Sequence, residues 1–268
     1  MWACPHCRLA LRVVPGEKSL ACANRHAFDL AREGYVNLLP ANRKRSREPG
    51  DSPAMLAARR RVHQAGAYRP LADALVDQLA GLETAGPVLD LGCGEGYYCS
   101  VMAGAVAASR LYGVDISRAA VRLAAKNQRE ASFAVARAYQ LPILDASLDV
   151  VVRVFAPSDD DEVRRVLKPG RFYLELAPAP GHLRQWRQGL YDSPREHPPA
   201  REKIAGMCLR GKRYLDYRLP LSPGLLADIV SMTPFAHRGH REKREQLLGS
   251  GLDSVDMAFS LSLFQVAG

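Results

Sequence analysis

Short apolar runs alternate with helix-like segments through the middle of the chain. The first run is Val88–Leu91, the second is LYGVD ending at Asp115, and later runs begin at Phe133, Leu148 and Arg171. Runs of this length, bounded by turns and separated by segments that suit helices, are typical of strands buried inside a parallel sheet. The pattern therefore predicts an α/β domain built on a mostly parallel sheet.

The pattern changes after the fifth run. GKRYLDYRLPLSPGLLADIV predicts a strand followed by a helix, and SVDMAFSLSLFQV alternates apolar and polar residues as a half-buried final strand does. Residues 181–212 precede these elements as an insertion, and insertions at the carboxyl end of such sheets commonly shape the substrate side. The insertion carries four arginines that are candidate contacts to a nucleic acid, although solvated surface positions explain them equally well: Arg184, Arg187, Arg195 and Arg201.

The amino-terminal part of the chain has shorter elements. LALRVVPGEKSLAC predicts two short strands around a Pro-Gly turn, and the following HAFDLAREGYVNLLPANRKRSREPGDSPAM loses periodicity, which predicts a linker or exposed arm. Helical spacing resumes at Pro53 and is broken at Gly66. The chain divides into a module at residues 1–40, a basic arm and connecting helix at residues 41–70, and a main domain at residues 71–268.

Composition bounds the class of protein. The chain has 268 residues, of which 47% are hydrophobic and 24% charged, enough for one full core and a small appended module. No apolar run approaches the roughly 20 residues of a membrane span, and MWACPHC lacks the basic-then-apolar order of a signal peptide. We therefore expect a cytoplasmic protein with no membrane partner. Its six cysteines should stay reduced, so clustered thiols favour a metal over disulfides.

The positive charge is concentrated near the amino terminus. The net charge is +9, and residues 1–70 hold 13 Lys and Arg against 5 Asp and Glu, whereas the remaining residues hold 24 against 23. A basic segment of this kind usually contacts a polyanion. The densest stretch is RKRSR, in which Arg43, Lys44, Arg45 and Arg47 are candidate RNA-binding residues.

Four potential metal ligands lie in the amino-terminal module. Cys4 and Cys7 form a C-x2-C pair, followed by Cys22 and His26. Zn²⁺ takes four such ligands in a tetrahedron, and a C-x2-C turn supplies two thiolates from one knuckle. A hairpin of about 25 residues has too little core to fold alone, so a metal would supply its stability. The spacing predicts one structural Zn²⁺ with no open position for catalysis, and His6 as a bystander.

A glycine-rich turn follows the first apolar run of the main domain. In VLDLGCGEGYY, Asp90 precedes Gly92, Gly94 and Gly96 at a strand-to-helix turn. Nucleotide cofactors bind at such turns because glycines let the ligand approach the backbone. The order D-x-G-x-G-x-G differs from the dinucleotide pattern G-x-G-x-x-G. One helix later, Asp115 ends the next strand, where its carboxylate is placed to bind two ribose hydroxyls.

These motifs resemble the class I S-adenosylmethionine-dependent methyltransferases over about residues 86–180. The resemblance implies a Rossmann-like, mostly parallel sheet, with the zinc-binding β module appended at its amino terminus, and S-adenosylmethionine as cofactor. It implies that Asp90 and the glycines line the methionine end, that Asp115 holds the ribose, and that residues 136–141 flank the adenine.

The whole chain resembles a narrower family. The zinc knuckles, REGYVNLLP, RKRSREPGDSPAMLAARR, GCGEGYY, VRVFAP and MTPFA are similar to segments of the bacterial 23S ribosomal RNA guanine-N1 methyltransferases of the RlmA type. The resemblance implies methylation of a guanosine in a domain II hairpin that lines the peptide exit tunnel, and a homodimer. It also implies cofactor contacts at Tyr68, Gly96, Tyr97 and His182. The acidic run SDDDE at residues 158–162 departs from the family pattern.

The target atom places a requirement on the substrate side. Guanine N1 carries a hydrogen on the pairing edge, so the nucleotide must be unpaired or extruded before a sulfonium methyl can reach it. VRVFAP ends the fourth strand, where this class presents its target, and Phe155 and Pro157 are candidates for the surface on which the base stacks. On composition alone, Phe155 suits a core position equally well. The sequence identifies no general base.

Two other functions stay open on the residues alone. A small-molecule methyltransferase of the quinone-ring C-methylating type shares the fold and the motif LPILDASLDVV, but it explains neither the zinc module nor the basic segment. A zinc-containing nucleic-acid adaptor without catalysis explains both features. The intact Asp90, Asp115 and glycines of the cofactor motifs argue against it.

Overall fold

The structure, a computed structural model, describes residues 1–40, 50–190, 195–232 and 241–268. Its strands are β1 (Arg12–Val13), β2 (Ser19–Ala21), β3 (Ala27–Asp29), β4 (Val36–Asn37), β5 (Val88–Leu91), β6 (Leu111–Asp115), β7 (Ser132–Val135), β8 (Leu148–Val154), β9 (Leu167–Pro178), β10 (Met207–Pro220) and β11 (Ser254–Val266). Its α-helices are α1 (Pro53–Gln64), α2 (Arg69–Ala80), α3 (Tyr97–Met102), α4 (Arg118–Asn127), α5 (Asp160–Val166), α6 (Arg184–Leu190), α7 (Pro223–Met232) and α8 (Arg241–Leu248).

Eight of the described strands form the main sheet, in the order β10-β11-β9-β8-β5-β6-β7-β4. The pairs from β4 to β9 are parallel, and β11 is antiparallel to both β9 and β10. The carboxyl ends of β5, β6, β7, β8 and β9 therefore meet at one edge of the sheet, which is where ligands bind in folds of this kind. The predicted α/β architecture with a mostly parallel sheet is confirmed.

An apolar core covers each face of the sheet. Side chains of a strand point alternately to opposite faces, so Val88 and Val150 pack on one side while Leu89 and Val151 pack on the other. Residues of α1, α2, α3, α4 and α7 complete the first core. Residues of α5 and of the amino-terminal module complete the second.

The amino-terminal module packs against a connection that has no helix. Parallel strands are usually joined through a helix, but residues 136–147, between β7 and β8, contain none. Trp2 forms an isolated antiparallel bridge with Ile143, and its ring lies edge-on to Tyr112 with centroids 5.5 Å apart. Leu11 and Leu20 join the same apolar cluster as Ile143. The module thus covers sheet surface that a crossover helix would otherwise bury.

Residues 27–37 contain two strands where the sequence predicted a linker. β3 extends the β1-β2 hairpin, with Leu20 opposite Phe28. β4 joins the main sheet in parallel with β7, with Val36 opposite Ala134. The linker prediction is wrong here because strands of two and three residues show no periodicity and are fixed by partners elsewhere in the chain.

The connecting helices form as predicted. Ser52 caps α1 by accepting a hydrogen bond from the Met55 N–H at 3.3 Å. The predicted break lies between α1 and α2 at Gly66, whose φ of +76° is a left-handed conformation. None of the helices in the described ranges combines the length and apolar character that a bilayer crossing requires.

The last strand is more buried than its alternation predicts. In β11 the apolar residues lie inside as expected, but Ser260 and Ser262 on the other face are also buried, only 2% and 1% exposed. The prediction of a half-buried strand is wrong because β11 lies between β9 and β10 and both of its faces are covered. β10 begins at Met207, so the last part of the predicted insertion is already strand.

Candidate functional site

The four predicted metal ligands form one cluster in the module. The ligand atoms of Cys4, Cys7, Cys22 and His26 all lie within 4.8 Å of one another. The closest pairs are Cys4 Sγ to His26 Nδ1 at 3.5 Å, Cys22 Sγ to His26 Nδ1 at 3.5 Å, and Cys7 Sγ to Cys22 Sγ at 3.6 Å. Two tight turns present the thiols, one with Arg8 at φ +66° and one with Arg25 at φ +63°.

These distances fit a tetrahedral zinc ion. With zinc to sulfur bonds of about 2.3 Å, the edges of a tetrahedron measure about 3.8 Å, slightly more than the spacings between the paired ligand atoms. Three thiolates and one imidazole are the donors of a structural site, and four protein ligands leave no position for a reacting water. The cluster is the site of one structural zinc. His6 lies outside it, with its ring 5.1 Å from that of His26.

The glycine-rich turn approaches its neighbours too closely for side chains. Gly92, Gly94 and Gly96 have φ of +81°, +53° and +88°. A Cβ atom at Gly92 would lie 2.2 Å from the Ala156 side chain, and one at Gly96 would lie 2.9 Å from the Ala124 side chain. The turn therefore holds its bare backbone against α4 and against the segment that follows β8.

Two buried aspartates flank this turn. Asp90 is 1% exposed and accepts a hydrogen bond from the Cys99 thiol at 3.2 Å, and burial raises the pKa of Asp90 to about 7. Asp115 accepts hydrogen bonds from the N–H groups of Gly94 at 3.0 Å and Ser117 at 2.8 Å, and burial raises its pKa. A carboxylate accepts about four hydrogen bonds, so Asp115 can still bind two hydroxyls.

Helix α1 is fastened to the same turn. His63 Nδ1 lies 2.8 Å from Glu95 Oε1, and Arg60 Nε lies 3.6 Å from Glu95 Oε2. The His63 ring also stacks on Tyr97, with centroids 4.0 Å apart and planes 16° from parallel. The sequence pattern does not predict this contact, because His63 and Glu95 are 32 residues apart.

A cleft of about 640 Å³ opens beside Asp115. Its walls come from residues 31–39 of the module, from Asp51 and Pro53 before α1, from residues 116–122 after β6, and from Val135 at the end of β7. Arg59 and Asp51 form an ion pair close to the glycine-rich turn. The cleft thus lies along the carboxyl edge of β6 and β7.

An aromatic cluster lies farther along the same edge. Phe155, at the end of β8, has φ +57° and is 42% exposed. Its ring centroid is 5.5 Å from Phe259 and 5.9 Å from Tyr68. Burial raises the pKa of Tyr68 to about 12, so its hydroxyl stays protonated. Phe155 is therefore held by its neighbours with one side open, which favours a binding surface over a core role.

His182 borders the cluster as a neutral ring. Its centroid lies 4.6 Å from Phe259. The Ala258 N–H donates to His182 Nδ1 at 3.3 Å, so the proton of the neutral imidazole is on Nε2. Burial lowers the pKa of His182 to about 3. Near neutral pH the ring is a hydrogen-bond donor at Nε2 and a poor base.

The acidic run after β8 makes ion pairs within the fold. Asp160 binds Arg201 Nη1 at 2.7 Å, and Arg201 Nη2 also lies 2.9 Å from Glu175 Oε1. Glu175 pairs in turn with Arg153 on β8. The run therefore ties the segment after Phe155 to β9 and to the insertion, which explains its departure from the expected pattern without an RNA contact.

The arginines of the insertion do not all face solvent. Arg184 and Arg195 are exposed, but Arg187 is only 6% exposed and donates to the Arg195 carbonyl at 2.6 Å. The expectation that Arg187 contacts nucleic acid is wrong, because its guanidinium is used to fold the insertion. Arg201 is engaged by two carboxylates.

The predicted site residues fall into three groups. The metal ligands form the zinc cluster. The predicted cofactor residues and the base-stacking candidate Phe155 follow one another along the carboxyl edge of the sheet through the contacts given above, with Pro157 two residues farther on. The predicted RNA-binding residues, Arg43, Lys44, Arg45 and Arg47, lie outside the described residues.

Comparison with solved structures supports the fold. The crystal structure of a provisionally assigned methyltransferase from Bacillus halodurans C-125 matches with a TM-score of 0.52 and 15% identity, covering 73% of this chain and 98% of that one. A chain from the complex of the Haloferax volcanii Trm112 methyltransferase activator with a methyltransferase matches with a TM-score of 0.53 and 19% identity, covering 82% and 100%. These identities support the fold alone.

Two families match parts of the chain. The family described as "RlmA, N-terminal", a zinc ribbon, matches residues 2–47. The family described as "Methyltransferase domain" matches residues 88–170. Together they cover the zinc cluster, the glycine-rich turn and Asp115, and they confirm S-adenosylmethionine as the cofactor of this fold.

Relatives at higher identity extend over most of the chain. A Streptomyces fradiae protein named 23S rRNA (guanine(748)-N(1))-methyltransferase is 36% identical over 184 residues, which span 67% of this chain and 64% of that relative. YxjB of Bacillus subtilis (strain 168), provisionally named a 23S rRNA (guanine-N(1)-)-methyltransferase, is 31% identical over 91% of this chain and 89% of its own length. A Micromonospora griseorubida protein with the same provisional name is 33% identical, covering 87% and 85%. With its zinc ribbon and its methyltransferase domain in one continuous alignment, the chain belongs to the RlmA-type family of 23S rRNA (guanine-N1)-methyltransferases.

Proposed function

We propose that this protein transfers the methyl group of S-adenosylmethionine to N1 of one guanosine in 23S ribosomal RNA. The observation that carries the proposal is the alignment of the whole architecture, zinc module and methyltransferase domain together, with relatives that bear this activity in their names. A small-molecule methyltransferase needs no basic, zinc-stabilised module. The carboxyl edge of the sheet then holds the cofactor at β5 and β6 and the target base at β8.

The cofactor residues lie at the carboxyl ends of the neighbouring strands β5 and β6. Asp90, Gly92, Gly94 and Gly96 line the methionine end, and Asp115 binds the ribose hydroxyls. Bound S-adenosylmethionine supplies an electrophilic methyl on a sulfonium ion. Tyr68, Tyr97 and His182 close the methionine side, where His182 Nε2–H is a donor suited to a carboxylate.

The target guanine stacks on Phe155 in this assignment. Phe155 is partly exposed at the end of β8, and Pro157 follows on the rigid segment that Asp160 and Arg201 hold in place. Extrusion of the base is required because N1 lies on its pairing edge. Stacking orients N1 toward the methyl, and such positioning contributes much of the acceleration in a two-reactant transfer.

The proton on N1 must leave as the methyl arrives. His182 does not accept it, because its Nδ1 lone pair receives the Ala258 N–H and burial lowers its pKa to about 3. Its Nε2–H can instead donate to an oxygen in the cleft. His182 therefore acts as a hydrogen-bond donor and not as the general base.

The RNA is held by the basic amino-terminal part of the chain, residues 1–70. We assign phosphate contacts to Arg43, Lys44, Arg45 and Arg47, because this segment holds the densest positive charge of the chain. Leu39 and Asp51, which precede and follow this segment in the sequence, both line the cleft, which supports the assignment. The finer proposal is a domain II hairpin as substrate, acted on by a homodimer in the cytoplasm.

Primer extension on ribosomal RNA tests the function. An N1 methyl blocks pairing, so reverse transcriptase should stop one nucleotide before the target in RNA from a strain with the gene and read through in RNA from a deletion strain. Complementation with the unaltered gene should restore the stop, and complementation with Asp115→Ala should not. The position of the stop identifies the guanosine.

A negative result has a defined meaning. If deletion leaves every stop in ribosomal RNA unchanged while the purified protein methylates a small metabolite, the proposal is wrong and the chain is a small-molecule methyltransferase. If the purified protein binds RNA but no S-adenosylmethionine, it acts as an adaptor.

A further inference from the structure

The zinc knuckle is bonded directly to the loop after β7. The Ala3 N–H donates to the Pro142 carbonyl at 2.9 Å, and the Leu144 N–H donates to the Met1 carbonyl at 3.1 Å. Arg8 Nη1 donates to the Leu141 carbonyl at 2.9 Å. Arg8 follows Cys7 and has φ +66°, so its direction depends on the folded knuckle.

The opposite side of this loop is held by the same module. β4 pairs in parallel with β7, and the Leu38 N–H donates to the Val135 carbonyl at 3.0 Å. Tyr35 is 4% exposed, and its hydroxyl accepts a hydrogen bond from Arg118 Nε at 3.1 Å. The module therefore makes hydrogen bonds to the segment from Val135 to Leu144 at both of its ends.

The segment from Val135 to Leu144 begins at the adenosine end of the cofactor cleft. A carboxylate at the end of the second strand binds the ribose in folds of this kind, which places the adenine beyond Asp115 on the β7 side. There the 640 Å³ cleft is lined by Ile116 and Val135 from the main domain and by Tyr35, Asn37 and Leu39 from the module. One wall of the pocket belongs to the zinc module.

We propose that the zinc module completes the adenosine pocket and that zinc and S-adenosylmethionine consequently bind with positive coupling. The inference rests on the proposed cofactor placement. Because the metal provides the folding free energy of a module this small, loss of zinc removes the module's wall. It also removes the module's bonds to the loop at residues 141–144, which keeps its bonds to Glu162 and Arg165 of α5. Arg8 is then a positioning residue, which acts on the cofactor through the loop.

Coupling of this kind is reciprocal, so each ligand must raise the affinity for the other by the same factor. The module would therefore contribute to cofactor binding as well as to RNA contact. Metal loss would lower methyl transfer even on a substrate that makes no contact with the module.

Two arginines of the module provide a matched test. Arg8→Ala removes the module's bond to the Leu141 carbonyl and leaves the bond from Arg165, whereas Arg12→Ala removes an equal charge from the exposed strand β1. Calorimetric titration of the zinc-loaded proteins with S-adenosylhomocysteine should give a dissociation constant on the order of tenfold weaker for Arg8→Ala and unchanged for Arg12→Ala. Elemental analysis and thermal unfolding check that both variants keep zinc and fold.

Zinc competition tests the reverse direction. The zinc affinity of the unaltered protein, measured against a chelating dye, should rise when S-adenosylhomocysteine is saturating. Equal zinc affinity with and without S-adenosylhomocysteine, together with equal titrations for the two variants, would overturn the coupling alone. If no form of the protein binds S-adenosylhomocysteine, the cofactor placement is wrong and the inference falls with it.

Discussion

His63 on α1 and Glu95 in the glycine-rich turn lie 2.8 Å apart, Nδ1 to Oε1, and join the helix after the basic arm to the cofactor loop. Both side chains are largely buried, 11% and 8% exposed. The pair fixes a turn whose three glycines give it little stiffness of its own. The Arg60 guanidinium, 3.6 Å from Glu95, adds a second bond to the same carboxylate.

Replacing Glu95 should therefore affect both stability and cofactor binding. In Glu95→Ala the buried His63 Nδ1 loses its partner, which costs about 1–3 kcal/mol and lowers the melting temperature by several degrees. Cofactor affinity should fall as well, because the turn is released. Asp73→Ala is the matched control, since its ion pair with Arg69 is exposed. Differential scanning calorimetry and cofactor titration measure the two effects, and equal values for both variants would contradict the role of the pair.

Asp115→Ala should weaken cofactor binding more than it changes stability. Burial raises the pKa of Asp115, so the ionised group is unfavourable in the empty site, and its removal offsets part of the cost of losing the bonds from the Gly94 and Ser117 N–H groups. The hydrogen bonds to ribose are lost completely, which corresponds to roughly 10- to 100-fold in affinity at about 1.5–3 kcal/mol for bonds to a charged group. Calorimetric titration checks the affinity, with the exposed Asp77→Ala as control. Unchanged affinity in a folded Asp115→Ala protein would reduce Asp115 to a strand-end residue.

Asp90 should give the cofactor-free protein a pH dependence of stability. Burial raises its pKa from 3.8 to about 7, so between these values the folded state binds more protons than the unfolded state. The contribution of Asp90 to the free energy of unfolding therefore falls as the pH rises from about 4 to about 7. Urea unfolding at pH 5 and pH 7.5 measures the free energy of unfolding at each pH. Its decrease from pH 5 to pH 7.5 should be smaller for Asp90→Asn than for the unaltered protein. His182, with its lowered pKa, acts in the opposite direction in both proteins and cancels in the comparison.

The features predicted from sequence are those encoded by neighbouring residues. The run Val88–Leu91, the glycines after it and Asp115 define a strand, a turn and a strand end through local preferences alone. The zinc ligands are likewise recognisable because two short spacings bring four donors together, as the cluster confirms.

The features missed depend on partners far along the chain. Arg8 and the Leu141 carbonyl are 133 residues apart, and nothing in the local sequence of Arg8 distinguishes it from Arg12. The two residues of β4 become a strand only because β7 offers an unpaired edge. Arg187 was placed at the surface because arginines are rarely buried, and it is buried because its guanidinium donates a hydrogen bond to the Arg195 carbonyl.

Loss of a zinc ligand should unfold the module and leave the main domain folded. Elemental analysis of the purified protein should give about one zinc per chain, and Cys22→Ala should lose it, because the metal supplies the folding free energy of the module. Limited proteolysis should then cut within residues 1–40 while the main domain keeps a cooperative melting transition. Cys208→Ala is the control, since Cys208 is exposed on β10 and should keep the metal. A zinc-free preparation with full activity would remove the structural role of the metal.

Charge removal in the arm should weaken RNA binding in a salt-dependent way. Replacing Arg43, Lys44, Arg45 and Arg47 with alanine should lower the affinity for a 23S rRNA fragment and flatten the plot of log affinity against log salt by about 0.7–0.9 per lost phosphate contact, because fewer counterions are released. Cofactor affinity should not change. A second variant, Lys126→Ala with Arg129→Ala, removes exposed charge at and just after the carboxyl-terminal end of α4, from residues that do not line the cleft. Equal salt slopes for the arm variant and the unaltered protein would assign the charge of the arm to solubility, whereas a slope change in the α4 variant alone would place the RNA at the end of α4 instead of at the arm.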